Sequence, residues 1–201
     1  MSIATYADLQ AAIASWTHRS DLTTIIPDLI VIAEKRIFRE VRVRVMESAF
    51  AGTIANGVVA LPADYLALKF AYIDSSPTSQ LARASASQIY SKYPSRAPAG
   101  KPQMIGREGG NFIFGPYPDS SYDVAGIYYA EPTSIVSSAN ALFVANPDLY
   151  LYATLCETAP FIQDDPRLQL WEAKYASVKQ QMAFSDDDEY GSGGGLSVSV
   201  A

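Results

Sequence analysis

Hydrophobic positions along the chain change their period twice, from helical to strand-like and back. Near the start Leu9, Ala12, Ile13 and Trp16 recur at spacings of three and four, and Thr5 followed three residues later by Asp8 resembles a capping box. This predicts a first helix ending near Trp16. Pro27 with Asp28 beside it opens a second. A first-turn proline lacks only an N–H that a helix leaves unpaired anyway, and a carboxylate there favours the helix dipole. Ile30, Ala33, Ile37 and Val41 then face inward, and the helix runs to about Glu40.

From about Ser48 the period is two. Residues 50–54 and 58–61 flank Asn56 and Gly57, the dipeptide best suited to the positive φ angles of a type I′ turn, and predict a hairpin. Residues 66–73 read as a further strand, 85–93 as a short helix capped by Ser85 and Gln88, and 111–114 and 122–129 as two more strands. Pro94, Pro98, Pro102, Pro116 and Pro118 punctuate the loops between them.

Helical spacing returns near the end. Asn146 then Pro147, and Asp165 then Pro166, each read as a cap followed by proline at the first helical position. Leu168, Trp171, Tyr175, Val178 and Met182 step along one face of a helix over 166–184, and Pro160 ends or kinks the helix before it. The order of helices, strands and helices gives an α+β chain.

Beyond Ser185 the run DDDE at 186–189 and the glycines of 191–195 are too polar and too flexible to bury a core, so 185–201 reads as a flexible tail. Yet Leu196, Val198 and Val200 alternate with Ser197 and Ser199. Two readings stand: a frayed terminus, or a strand that joins the sheet of a neighbouring subunit or another partner.

Composition places the chain among ordinary globular proteins, with 201 residues, 49% hydrophobic and 18% charged. Its apolar stretches are far short of a membrane span, and the N-terminus MSIATYADLQ lacks the pattern of a signal peptide, so a soluble protein is expected. A lone Cys156 excludes an internal disulfide and is consistent with assembly in a reducing cytoplasm. A net charge of −6 gives no reason to expect general DNA binding. One stretch runs against that trend: Lys35, Arg36, Arg39, Arg42 and Arg44 crowd into ten positions, interleaved with Glu34 and Glu40. It reads either as a solvated helix face with i,i+4 pairs or as a patch facing a partner or DNA, with Arg39, Arg42 and Arg44 the candidate contacts.

Catalytic chemistry finds little to build on. His18 is the only histidine, so the usual zinc-ligand spacings are absent, and no nucleophile elbow occurs. Gly106, Gly109 and Gly110 lie between strands with no following Gly-Lys-Ser/Thr, which suits a hairpin turn rather than a phosphate loop. Asp164 and Asp165 are sequence neighbours, an arrangement that rarely gives two carboxyls facing one cleft. No catalytic residue, cofactor site or metal site is assigned.

Three segments together resemble the adaptor (head-completion) proteins of tailed bacteriophages. The opening YADLQAAIASWTHRSDLTTIIPDLIVIAEKRIFREVRVR is similar to that family's first helical pair. LPADYLALKF at 61–70 resembles its strand-entry motif, and NPDLYLYATLCETAPFIQDDPRLQLWEAKY at 146–175 its paired C-terminal helices. The resemblance implies a bundle of N- and C-terminal helices (1–46 and 146–184) carrying a central β-rich insertion (47–145), with 185–201 as a flexible tail. It implies a structural subunit without enzymatic activity or cofactor, located in the virion neck and assembled in the host cytoplasm. Its expected partners are the portal protein, the next tail or nozzle component, and further copies of itself in a twelvefold ring. DNA would cross the lumen without sequence-specific contacts, and no membrane is involved. A different neck or tail-terminator protein, or a virion enzyme that degrades peptidoglycan, are the rival readings.

Overall fold

The computed structural model describes residues 3–161 and 166–191. Its elements in chain order are α1 (Tyr6–Thr17), α2 (Ile26–Glu40), β1 (Glu47–Ile54), β2 (Val58–Ala60), β3 (Tyr65–Ile73), β4 (Ser79–Gln80), β5 (Ala82–Arg83), α3 (Ala86–Lys92), β6 (Met104–Glu108), β7 (Asn111–Gly115), β8 (Tyr122–Ala130), α4 (Ala141–Ala145), α5 (Pro147–Glu157) and α6 (Arg167–Gly191). The fold is α+β. The chain divides into two compact units, one within Met1–Met46 and Pro132–Ala201, the other Glu47–Glu131. The β-rich unit closes at Glu131, so α4 belongs with the helices.

In the helical unit α1 starts where the sequence places it. Thr5 Oγ1 accepts from the Asp8 amide at 3.2 Å, and the Asp8 carboxylate accepts from the Thr5 amide at 3.0 Å. It ends at His18, whose backbone is left-handed (φ 53°). Trp16, which shares the helical spacing of Leu9, Ala12 and Ile13, is 43% exposed and meets Tyr152 edge-on at 5.9 Å. The buried surfaces of α1, α2 and α5 supply Leu9, Ile13, Ile30, Ile37, Tyr150 and Leu155, and α6 adds Trp171 and Tyr175. Burial of such side chains, about 1.5–3 kcal/mol each, is what holds the helices together.

Asn146 does not cap α5 with its side chain. It also closes α4, donating its amide to Leu142 O at 2.9 Å, and that double duty leaves it at φ −137°, ψ 66°. The caps that do work, Thr5, Ser85 and Asn140, all have ψ between 156° and 164°. Helix α5 stops at Glu157, ahead of Pro160, and a short 3-10 turn follows. Asp165 lies outside the described residues. Helix α6 does not end near Phe184 but continues to Gly191, taking in the acidic run. No strong helix breaker stands between those residues; the glycines begin at 191.

The other unit contains two four-stranded sheets, ordered β1-β8-β3-β4 and β2-β7-β6-β5. Asn56 (φ 55°) and Gly57 (φ 72°) make the turn that the sequence predicts, but the strands beside it do not pair as a hairpin. Beyond one bridge, Ala55 to Val58, β1 runs antiparallel to β8 and β2 to β7, so the turn is a crossing point between sheets. Phe50 of one sheet stacks on Phe112 of the other at 5.2 Å within a shared apolar core that includes Ile54, Ile73, Ile105 and Val124. The glycines at 109 and 110 turn β6 into β7, with Gly109 at φ 57°.

Candidate functional site

The basic stretch 35–44 leaves the end of α2, and its members part company there. Arg36 is the centre of a polar node. Its guanidinium donates to Glu172 at 2.9 Å, to Glu40 at 3.2 Å and to Glu157 at 3.3 Å, and lies over the Tyr175 ring at 4.7 Å. The Glu172 hydrogen bond leads in holding Arg36 firmly protonated, against the cost of burial. Lys179 and the Tyr175 hydroxyl also donate to Glu40, whose carboxyl is lowered: burial pushes it up, but Lys179, Arg36 and Tyr175 together outweigh that. Three helices of the unit are tied at this point, so Arg36 is structural.

Arg42 turns back on α2 and donates to the Phe38 carbonyl at 2.6 Å and to that of Val41, occupying acceptors that the helix end leaves open. Arg44 donates its backbone amide to Asp186 at 2.9 Å. Arg39 is exposed, and no ion pair involves it among the described residues. Arg42 lines an open groove of about 430 Å³ with Lys179 and Ala183, and Arg44 one of about 300 Å³ with Val45, Asn146 and Met182. Beyond Tyr175 no described side chain of α6 is buried, and Phe184 is 63% exposed. Val45, Val144, Val31 and Ile32 add exposed apolar area to the same unit. Leu196, Val198 and Val200 lie outside the described residues.

Sequence reasoning missed the anchor at Glu34, which is 2% exposed. Its carboxylate accepts from Ser134 Oγ at 2.6 Å and from the Ile135 amide at 2.9 Å. Asn140 works beside it, donating to Thr133 O at 2.7 Å, accepting from the Phe143 amide at 2.8 Å and meeting the Tyr150 hydroxyl at 3.2 Å. Residues 133–140 are thereby fixed to α2 and α5. The signal was present: Ile30, Ala33, Glu34 and Ile37 form an i, i+3, i+4, i+7 face, so one member of an inward stripe is charged.

Reactive groups are poorly placed. His18 is exposed at a helix end. Cys156 is 5% exposed, and burial followed by the nearby Glu172 pushes its thiol up to about 12, the opposite of an activated nucleophile. Among the described residues no group of three or more His, Cys, Asp or Glu could hold a metal ion, and no helix is long and apolar enough to cross a membrane.

The family model described as SU10 adaptor protein matches residues 4–198. The chain belongs to this family of phage head-tail adaptors. The match spans both units, so the adaptor comprises the helical bundle and the β-rich unit together. No curated protein matches the chain.

Proposed function

We propose that this adaptor is a structural subunit of the phage neck, forming a twelvefold ring that joins the portal to the next tail component and lets DNA pass through its lumen. The observation that carries the reading is the match to the adaptor family, which runs from residue 4 to residue 198. A ring needs two surfaces on each subunit that complement each other heterologously, with a rotation that closes. Residues 176–186 of α6, none of them buried, and the exposed Val45 and Val144 supply candidate material for such contacts. A net charge of −6 suits a conduit, because a lumen that held phosphates tightly would retain the genome. The protein acts by binding alone, and the virion neck is its site of action after assembly in the host cytoplasm.

Mixing the purified chain with portal rings of the same phage tests this. Sedimentation should show a small species alone and a defined portal complex after mixing, with twelve copies per portal in electron micrographs. Failure of the chain to sediment with portal rings at micromolar concentration would overturn the reading.

A further inference from the structure

The two sheets have four edges, and among the described residues they are not alike. β2 has three residues, and β4 and β5 have two each. Beside β4, the remaining edge of β3 is occupied as well. Leu81 donates its amide to Ala71 O at 2.9 Å, Arg83 donates to Leu68 O at 2.7 Å, and register shifts break the strand near Tyr65 and near Leu68. β1 differs on every count. It runs eight residues in unbroken register with β8, and no described strand pairs with its other side. It contains no proline and no lysine, and its one charged residue, Glu47, is engaged by Lys69 at 2.6 Å. Sheet proteins blunt such edges with bulges, lysines, prolines or short strands, because an open edge templates pairing with another chain. This edge carries none of those devices.

We propose that the outer edge of β1 receives residues 196–201 of a second copy as an added strand, closing contacts around the ring. The inference rests on the ring reading above and names one interface within it. Successive side chains of β1 alternate, with Phe50 and Ile54 buried and Ala49, Ala51 and Thr53 exposed. The segment LSVSVA alternates in the same way. In one register Leu196, Val198 and Val200 extend the apolar column of Phe50 and Ile54, while Ser197 and Ser199 fall beside Ala49 and Ala51. A slip of one residue would put the valines in water, so the pattern also sets the register. Past Gly191, the last described residue of α6, the segment Ser-Gly-Gly-Gly at 192–195 would reach about 14 Å if extended. They have the composition of a leader, and residues 196–201 that of a strand. Main-chain hydrogen bonds would supply the affinity and the three apolar side chains the specificity. Repetition around a closed ring makes even a weak seat effective.

The test uses the full chain with Ala51→Cys and Ser199→Cys together, attached to portal rings and oxidised; the buried Cys156 stays in place. A non-reducing gel should then show a ladder of linked copies. Either cysteine alone, or Ser199→Cys with Ser87→Cys on the exposed side of α3, should give none. Adding Val198→Asp should abolish the ladder. Hydrogen exchange gives an independent reading: amides of β1 should slow when the wild-type chain attaches, and fail to slow in Val198→Asp. Attachment to portals with no ladder and no change in β1 exchange overturns this seat and leaves the ring reading standing. A link closed within one chain also overturns it, since the strand would then be its own. If the wild-type chain does not attach at all, the ring reading falls first.

Discussion

Glu34 offers the sharpest test of how the helical unit is held. Alanine at this position removes the acceptor for Ser134 Oγ and for the Ile135 amide, at 2.6 and 2.9 Å, where the side chain is 2% exposed. Hydrogen bonds to a charged acceptor contribute about 1.5–3 kcal/mol each, and an orphaned buried amide costs about 1–3 kcal/mol. Against this, the variant no longer desolvates a carboxylate, a penalty of several kcal/mol that the native contacts offset. The net expectation is a loss of about 3 kcal/mol. Glu34→Gln keeps the shape and leaves one carbonyl oxygen for Ile135, so its loss should be about 1 kcal/mol. The assay reports on the correct unit without labelling, because both tryptophans, Trp16 and Trp171, lie in the helical unit. With a slope of about 1–3 kcal/mol per molar urea, the alanine variant should unfold roughly 1–3 M earlier by fluorescence. A midpoint within about 0.3 M of wild type for Glu34→Ala would refute the argument, since no compensating contact accounts for it.

Four other outcomes follow from other positions in the structure. Gly57→Ala should cost the β-rich unit about 1–3 kcal/mol, because φ is +72° and a new Cβ would come 2.7 Å from the Tyr117 ring; faster hydrogen exchange confined to residues 47–131 would register it. Arg42→Gln should lower the helical unit's stability by about 1 kcal/mol through the carbonyls it leaves at the end of α2, whereas Arg39→Gln should stay within about 0.5 kcal/mol in urea and weaken portal association at low salt. Glu40 has a lowered folded pKa, so its contribution is present above the ordinary value of 4.5 and is lost as pH falls through the folded one; Glu40→Gln should therefore flatten the acid side of the stability profile measured by fluorescence. The Cys156 thiol, pushed up to about 12, should ignore a disulfide reagent at pH 8 in the folded protein and react completely in urea.

Local signals were legible in the sequence where local physics decides. The capping boxes at Thr5–Asp8 and Ser85–Gln88, the proline openings of α2 and α5, and the left-handed pair at Asn56 and Gly57 all concern a few neighbouring residues, and each is found in place. What those residues connect was not legible. The turn at 56–57 demands positive φ angles, but whether its flanks pair with each other or with β8 and β7 depends on strands some sixty residues away. β4 and β5, two residues each, are too short to show a period at all. The same limit applies to the basic stretch. Spacing shows that Arg36 can reach Glu40 four residues on, but its partners Glu157 and Glu172 come from α5 and α6 and turn a surface pair into the centre of a packed node. Arg42, a candidate contact for partners, also donates through Nη1 to the Phe38 and Val41 carbonyls at the end of α2, a use that no sequence pattern distinguishes from solvent exposure.

The buried polar groups of the helical unit bear on the proposed assembly in a way that apolar packing would not. A core held only by leucines and isoleucines tolerates small slides of one helix on another, because dispersion and burial are nearly indifferent to direction. Hydrogen bonds are not. Glu34 holds residues 134 and 135 against α2, Asn140 holds residue 133 and the Tyr150 hydroxyl, and among the described residues no buried side-chain nitrogen or oxygen lacks a partner. Shifting α2 against α5 would break directional contacts inside a low-dielectric interior, where an unmatched group is most costly. In a closed ring every interface repeats the same geometry, so an angular error in one subunit is repeated at each step and the ring fails to meet itself. A subunit whose helices are registered by directional bonds presents one geometry at every step. Variants that soften this register, Glu34→Gln foremost because its expected loss of about 1 kcal/mol should leave it folded, should therefore yield a broader distribution of ring sizes or open arcs on portals before they lose the ability to bind them. A homogeneous twelvefold population from Glu34→Gln would separate stability from closure and show that the register is set elsewhere.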